Sequence, residues 1–238
     1  MQRFWTTVTI APAAQGFGIL LDGRRMHLPG GVALQVPQEA LALAIAAEWQ
    51  AAGGAKGGEM SFEDTPLTRL AATAQHRIAP DPAPTVDAIA RYGETDLLCY
   101  RAERPEALVQ RQARAWQPWL DWVTRTHDAP LRVTAGVTHI RQHHDSIAAL
   151  RRVVAAQDPD TLAGLGIAVP AMGSLVLGLA LAAGELAAAE AQSLALLDEL
   201  FQAEQWGEDA EAVARRAAIG ADIALAARYI ALTHQDRV

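Results

Sequence analysis

A chain of 238 residues with 51% hydrophobic and 20% charged residues can bury a full core, which excludes an intrinsically disordered protein. Its formal net charge of −7 excludes nucleic acid as the main partner, because neutralising phosphates requires a basic surface. The single cysteine, Cys99, excludes an internal disulfide bond and fits a reducing compartment. The N-terminus has neither a secretory signal nor a mitochondrial presequence pattern. We therefore expect a bacterial cytoplasmic protein, or a mitochondrial matrix protein whose presequence has been removed.

The first part of the chain has the composition of β-strands. Segment 4–10 is rich in aromatic and β-branched residues, and segment 32–36 is a second strand candidate. Between them, Asp22-Gly23 separates the strand candidates 18–21 and 24–28. This dipeptide favours a type I′ turn, because both of its positions need positive φ, and it therefore predicts a β-hairpin.

Helical patterns follow Pro37. Thr65 and Pro66 are a suitable N-cap and first residue for one helix. Segment 161–184 carries no charge and is long enough to span a bilayer, but it contains Pro170 and several glycines and lacks flanking Lys or Arg. We expect a helix buried on all sides there and no membrane span. The other helices expected in the second half cover residues 105–127, 145–157, 159–165, 172–183, 186–206 and 208–234.

This order of elements predicts the α+β class, with a small β-rich N-terminal part followed by a larger α-helical part. We place the β-rich domain at residues 1–60 and the mainly helical domain at residues 61–238. Segment 131–140 alternates weakly and suggests short strands around Gly136.

One cluster suggests an enzyme. His139, His143, His144 and Asp145 lie close together in the sequence, and two histidines four residues apart on a helix can share a metal ion. The segment lacks the His-Glu-x-x-His pattern, and an exposed polar turn is the simpler interpretation. A small metal-dependent enzyme that uses these histidines stays open as the alternative function.

The segment from Tyr92 to Ala102 is typical of a surface that holds another protein, because Asp96 and Arg101 stand among apolar side chains. We take both residues as candidate partner-binding residues. In the helix that follows, Trp116 and Trp122 share one inclined face, and we expect structural roles for both.

Short motifs spread along the whole chain point to one family. They are Arg3-Phe-Trp5, Leu21-Asp-Gly-Arg24, Ile45-Ala-x-Glu48-Trp49, Pro66-Leu-Thr68, Tyr92-x-x-Thr95-Asp-Leu-Leu-x-Tyr-Arg-Ala102, Gln112-x-x-x-Trp116-x-Pro118-x-x-x-Trp122, Gly173-Ser174 and Glu199-x-Phe-Gln202-x-x-x-Trp206-Gly-Glu208. In this order, the motifs resemble the "Atp-twelve" family, the ATP synthase assembly chaperones that bind the α subunit in mitochondria and α-proteobacteria.

The resemblance implies a chaperone that is not an enzyme and needs no cofactor. Its partner would be the ATP synthase α subunit, whose exposed interface it would shield until assembly, and the free protein would be a monomer. The family's important acidic residue aligns with Glu199, so the resemblance implies that Glu199, Trp206 and Glu208 bind the partner. It also implies that Trp49 packs the two parts of the fold together.

Overall fold

Strands form near the N-terminus and helices over the rest of the chain, in a computed structural model that describes residues 1–14, 16–28 and 30–234. The arrangement confirms the predicted α+β class. The strands are β1 (Val8–Ala13), β2 (Gly16–Leu21), β3 (Arg24–Arg25), β4 (Gln35–Val36), β5 (Tyr100–Arg101) and β6 (Thr134–Ala135). The helices are α1 (Glu39–Ala51), α2 (Pro66–Thr73), α3 (Ala83–Ala90), α4 (Glu106–His127), α5 (His144–Ala155), α6 (Pro159–Met172), α7 (Leu175–Ala182), α8 (Ala188–Ala195), α9 (Leu197–Trp206) and α10 (Ala210–His234).

The chain divides into two compact units, and the division differs from the predicted boundary at residue 60. The first unit contains Met1–Asp81, Pro159–Gly164 and the described residues 228–234. The second contains Pro82–Asp158 and Leu165–Ala227. Helix α2 belongs with the N-terminal strands because its residues Leu67 and Leu70 are buried in the core of the first unit.

The predicted hairpin is confirmed. Strands β1, β2 and β3 lie side by side in antiparallel order, and β4 also pairs with β2. Asp22 and Gly23 have φ angles of 47° and 79°, as a type I′ turn requires. The expected strand at 4–10 begins only at Val8, since the Asp22 carboxylate accepts hydrogen bonds from the backbone N–H groups of Thr6 and Thr7. These bonds lower the pKa of Asp22.

Two tryptophans form the centre of the first unit. Trp5 is fully buried, and its ring centroid lies 5.0 Å from that of the buried Trp49. The indole N–H of Trp5 donates to the Trp49 carbonyl (3.1 Å), and the indole N–H of Trp49 donates to Thr68 Oγ1 (2.8 Å). Trp49 thus connects the N-terminal segment, α1 and α2 within one unit.

Two polar side chains that the sequence analysis named only as motif members, Arg3 and Glu48, fix the ends of α1 and α2. The Arg3 guanidinium donates to the carbonyls of Gln50, Ala52 and Gly54, at the end of α1. Thr65, the predicted cap of α2, makes no capping bond with its side chain. Glu48 takes that role instead, because its carboxylate accepts from the backbone N–H groups at the start of α2.

The second unit is built around α7, and the buried helix expected there is confirmed. Every residue from Leu175 to Leu181 is buried. Gly178 permits close packing, since a Cβ atom at this position would lie 2.4 Å from Val169 Cγ2 in α6. Within the described ranges, no helix combines the length and hydropathy needed to cross a membrane.

Several predicted elements differ in extent. The helix expected over 186–206 is interrupted at Leu196 into α8 and α9, and the one expected over 159–165 continues to Met172 despite Pro170. The strands expected around Gly136 reduce to β6, which pairs with β5 in parallel.

We predict that Trp49→Ala lowers the free energy of unfolding by about 3–5 kcal/mol, because it removes a buried indole and leaves a cavity. Trp49→Phe keeps most of the apolar volume and loses the bond to Thr68, which costs about 1 kcal/mol. Urea denaturation checks both values. Trp206→Ala is the matched control, since that side chain is 79% exposed. If the urea midpoint of Trp49→Ala equalled that of Trp206→Ala, the assignment of Trp49 to the core of the first unit would be contradicted.

Candidate partner-binding site

The segment around Asp96 is an internal support, and the prediction that Asp96 contacts a partner is wrong. Asp96 is fully buried. Its Oδ1 accepts hydrogen bonds from Ser174 Oγ (2.8 Å) and the Leu98 N–H (3.1 Å), and its Oδ2 accepts from the Val176 N–H (2.9 Å). Ser174 Oγ in turn accepts from the Leu177 N–H (3.1 Å). Asp96 and Ser174 together cap α7, so Asp96 offers no surface to a partner.

Burial governs the protonation of this segment. It raises the pKa of Asp96 to about 6, against the opposing effect of the hydrogen bonds from Val176, Ser174 and Leu98. Burial also raises the pKa of the Cys99 thiol to about 12, and the nearby Asp96 adds to that shift. A thiol held neutral in this way is a poor nucleophile.

Arg101 is half-buried and directed mostly inward. Its Nε donates to the Leu98 carbonyl (2.9 Å), its Nη1 donates to the Gln112 carbonyl (2.8 Å), and its guanidinium lies 5.3 Å from the Trp116 ring centroid. The buried Gln112 side chain accepts from the Ala102 N–H (2.7 Å) and donates to Asp198 Oδ1 (2.7 Å). Arg101 and Gln112 therefore link this segment to α4, and Gln112 links it to α9.

The candidate tryptophans of α4 differ in exposure. Trp116 is fully buried, and its indole N–H donates to the Leu194 carbonyl (3.0 Å). Trp122 is half-buried, with its ring packed edge-on against Trp119 and His127. Burial lowers the pKa of His127. Trp116 thus joins α4 to the end of α8, and Trp122 packs at the C-terminal end of α4.

An exposed polar surface of the second unit lies at the turn from α9 to α10. Gly207, with φ of 89°, ends α9 and lets the chain reverse. Beside it, Trp206 is 79% exposed. Trp206 and Glu199, both singled out from the sequence, line one pocket of about 220 Å³ at this turn. We call this surface the α9–α10 site; its members are Glu199, Gln202, Ala203, Trp206, Gly207, Asp209, Ala212, Arg215 and Arg216.

Two ion pairs hold the α9–α10 site together. Both guanidinium nitrogens of Arg215 donate to the Glu199 carboxylate, at 3.0 and 2.8 Å. Arg216 lies 3.0 Å from Glu208, the third candidate residue. Glu208 does not line the pocket itself but is paired with Arg216, which does. Neither Arg215 nor Arg216 was identified from the sequence. The pairing of Arg215 with Glu199 could have been predicted from the sequence. The two residues are equally distant from Gly207 along the chain, and a helical hairpin that turns at Gly207 brings such residues together.

A third ion pair lies further along α9. Arg111 of α4 donates two hydrogen bonds to Glu204, at 2.7 and 2.8 Å, and its guanidinium lies 5.1 Å from the centroid of the Phe201 ring. The hydrogen bonds from Arg111 lower the pKa of Glu204. This contact fixes α9 against α4, so the exposed Trp206 stands on a supported helix.

Comparison with known proteins decides the family. The family model described as "ATP12 chaperone protein" matches residues 2–124. The chain belongs to the ATP12 chaperone family. Its sequence is 43% identical to that of Atp12 from Paracoccus denitrificans, with 98% of each chain covered. The crystal structure of that protein matches this one with a TM-score of 0.91. It is 40% identical to Atu1473 from Agrobacterium tumefaciens, covering 96% of this chain and 84% of that one, with a TM-score of 0.87.

These ATP12 relatives confirm the resemblance drawn from the short motifs. A variant of the Paracoccus denitrificans protein, in which one aspartate is replaced by lysine, is 42% identical, with 98% of this chain and 97% of that chain covered and a TM-score of 0.91. The structural likeness covers 98% of this chain and so extends beyond the segment that the family model matches.

The structure shows His139, His143 and His144 as exposed side chains that are not grouped as metal ligands among the described residues. His139 Nδ1 lies 3.2 Å from the Tyr100 hydroxyl, and His144 lies 3.6 Å from the exposed Asp145. The described part of the chain contains no group of three or more His, Cys, Asp or Glu residues arranged to hold a metal ion. Nothing in this geometry favours the metal-dependent enzyme that the sequence left open.

We predict that acid stabilises the wild type relative to Asp96→Asn. The folded pKa of about 6 lies above the ordinary value of 3.8, so the folded state binds this proton more tightly than the unfolded state does. The resulting stabilisation is complete below about pH 4 and is lost as the pH rises through 6. Between pH 7.5 and 4.5, the free energy of unfolding of the wild type should gain on the order of 2 kcal/mol over that of the variant.

Urea denaturation of both proteins at the two pH values measures this gain. Subtracting the free energy of unfolding of Asp96→Asn from that of the wild type cancels the titration of all other groups, because the two proteins differ at one ionisable side chain. If the difference in free energy of unfolding between the two proteins stays constant with pH, or changes in the opposite direction, the hydrogen bonds to Asp96 offset or outweigh the effect of burial on its pKa.

Proposed function

We propose that this protein binds the α subunit of ATP synthase, shields its exposed interface and releases it as the soluble catalytic head assembles. Membership of the ATP12 chaperone family supports the role in ATP synthase assembly. The observation that carries the proposed binding site is the exposure of Trp206, 79% of whose surface is open to solvent beside two ion pairs.

The client's chemistry explains why a chaperone is needed. A subunit of a multi-subunit ring that lacks its neighbour exposes apolar interface, and such surfaces aggregate. A chaperone for that subunit must cover the surface and still yield to the neighbouring subunit. Moderate buried area with a polar rim suits such a contact, because area alone does not determine affinity.

The α9–α10 site has the features of such a contact. Tryptophan and arginine are the residues most enriched in interface hot spots, and Trp206 lies beside Arg215 and Arg216. Glu199 is already paired with Arg215, so a basic group of the client would exchange with an existing partner. The Glu199–Arg215 pair is partly exposed, so replacing it by a pair with the client changes the free energy little, which makes binding reversible while Trp206 provides the anchor.

The remaining parts of the proposal follow from this mode of action. Binding and release make no covalent bond, so the chaperone acts without a catalytic residue or cofactor. We propose that it works in the cytoplasm of a bacterial cell, as a monomer before it meets the client. The net charge of −7 supports a protein client over nucleic acid.

We predict that Trp206→Ala and Glu199→Lys each weaken binding to the α subunit by roughly tenfold or more. Both side chains lie at the surface, so the free energy of unfolding should change by less than about 1 kcal/mol. The measurement is co-expression with the α subunit in the absence of the β subunit, followed by size-exclusion chromatography and titration of the purified proteins.

Two controls separate binding from folding. Glu185→Lys makes the same charge change at an exposed position between α7 and α8. Glu199→Lys with Arg215→Glu reverses the ion pair, so its stability should match that of the wild type while client binding stays weak. Failure of the wild type to bind the α subunit would refute the function. Normal binding by both Trp206→Ala and Glu199→Lys would refute the site.

A further inference from the structure

The first unit contains a groove of about 650 Å³, separate from the α9–α10 site. Its floor consists of buried apolar side chains from the N-terminal segment, β2, the segment after β3, and α1: Trp5, Leu21, Met26, Leu28 and Trp49. Its rim carries Phe4 and Phe62, which are 64% and 50% exposed. We call this feature the N-terminal groove.

The residues around the N-terminal groove match those of protein interfaces. Interfaces are enriched in aromatic residues, Met and Arg, and depleted in Lys, Asp and Glu. Of the 12 described residues that line the groove, four are aromatic, two are Met and two are Arg, and none is Lys, Asp or Glu. This composition favours a protein ligand, because lipid-surface sites rely on lysine as well as arginine and lie on convex helical faces.

The Phe4 ring and the backbone that carries Phe62 are both held in place before any ligand binds. Phe4 packs edge-on against Trp5 with ring centroids 5.0 Å apart. Phe62 begins a short 3₁₀ turn that is fixed by a capping box, in which the Ser61 N–H donates to Asp64 Oδ2 (2.7 Å) and Ser61 Oγ accepts from the Glu63 N–H (3.1 Å). A preorganised ring or backbone loses little conformational entropy on binding, so both residues are effective anchors.

The charge of the groove specifies its ligand further. Arg24 and Arg25 line it, and both are exposed. Among the residues that the structure describes, none forms an ion pair or side-chain hydrogen bond with either arginine. His27 adds a third basic side chain to the lining. In a protein with a net charge of −7, two unpaired arginines beside an apolar floor form a local site for carboxylates.

We propose that the N-terminal groove is a second docking site, which binds an acidic amphipathic segment of the client protein. The segment places one or two large apolar side chains between Phe4 and Phe62 and sets carboxylates against Arg24 and Arg25. This inference rests on the proposed function for the identity of the client, the ATP synthase α subunit.

Photo-crosslinking in the complex with the α subunit identifies the occupant directly. Benzoylphenylalanine is placed at position 4 or 62 of the full chain, and at Leu43 as a control, since Leu43 is 53% exposed in the same unit and does not line the groove. We expect positions 4 and 62 to crosslink to one segment of the α subunit that contains at least two acidic residues. Crosslinks only to a second copy of this chain, or to no segment of the α subunit, overturn the inference.

Charge reversal tests the role of the arginines. Arg24→Glu with Arg25→Glu should weaken binding of the α subunit roughly tenfold and remove much of its dependence on salt. The matched control is Arg69→Glu with Arg114→Glu, two exposed arginines outside the groove. Phe4→Gln with Phe62→Gln should weaken binding by a similar factor, since both rings are exposed and contribute little to folding.

The outcomes separate the two proposals. If the wild type does not bind the α subunit, the proposed function fails. If the wild type binds and the groove variants bind as tightly as the arginine control, the N-terminal groove is not a docking site while the function stands. Sedimentation with phosphatidylglycerol vesicles that is lost in Arg24→Glu with Arg25→Glu would also overturn the inference, because it would assign the groove to lipid.

Discussion

The buried carboxylate of Asp96 is the contact on which the second unit depends. It accepts hydrogen bonds from Ser174 and from two backbone N–H groups, and it thereby fixes the start of α7, the most buried helix of that unit. A buried carboxylate without its donors would be strongly unfavourable, so the segment and the helix must form together. From this segment, Gln112 carries the polar network on to Asp198 and α9.

This network gives the exposed surface its rigidity. Helix α9 is held by Asp198 at its start and by the bidentate contact of Glu204 with Arg111 near its end. The exposed Trp206 therefore stands on a helix with two fixed points, which limits the entropy lost when a partner binds. A chaperone of the ATP12 family can in this way present an apolar anchor that is supported by one part-buried and one exposed polar contact of its own chain.

Sequence reasoning succeeded where the determining interactions are local. The Asp22-Gly23 turn and the buried α7 follow from residues adjacent in the chain, and both were predicted. Asp96 was misjudged because its decisive partner, Ser174, is remote in sequence, so a polar residue in an apolar run suggested a surface. The predicted domain boundary failed for the same reason, since contacts such as that of Trp49 with Thr68 draw α2 into the first unit. Glu199 and Trp206 were found only through the family resemblance.

The most direct test of this account is hydrogen–deuterium exchange of the protein alone and in complex with the ATP synthase α subunit. The account predicts slower exchange at residues 199–216 in the complex, where α9 turns into α10, and little change at residues 92–102, which are already held by internal hydrogen bonds. Unchanged exchange at 199–216 in a stable complex would contradict the claim that the client binds at the exposed Trp206.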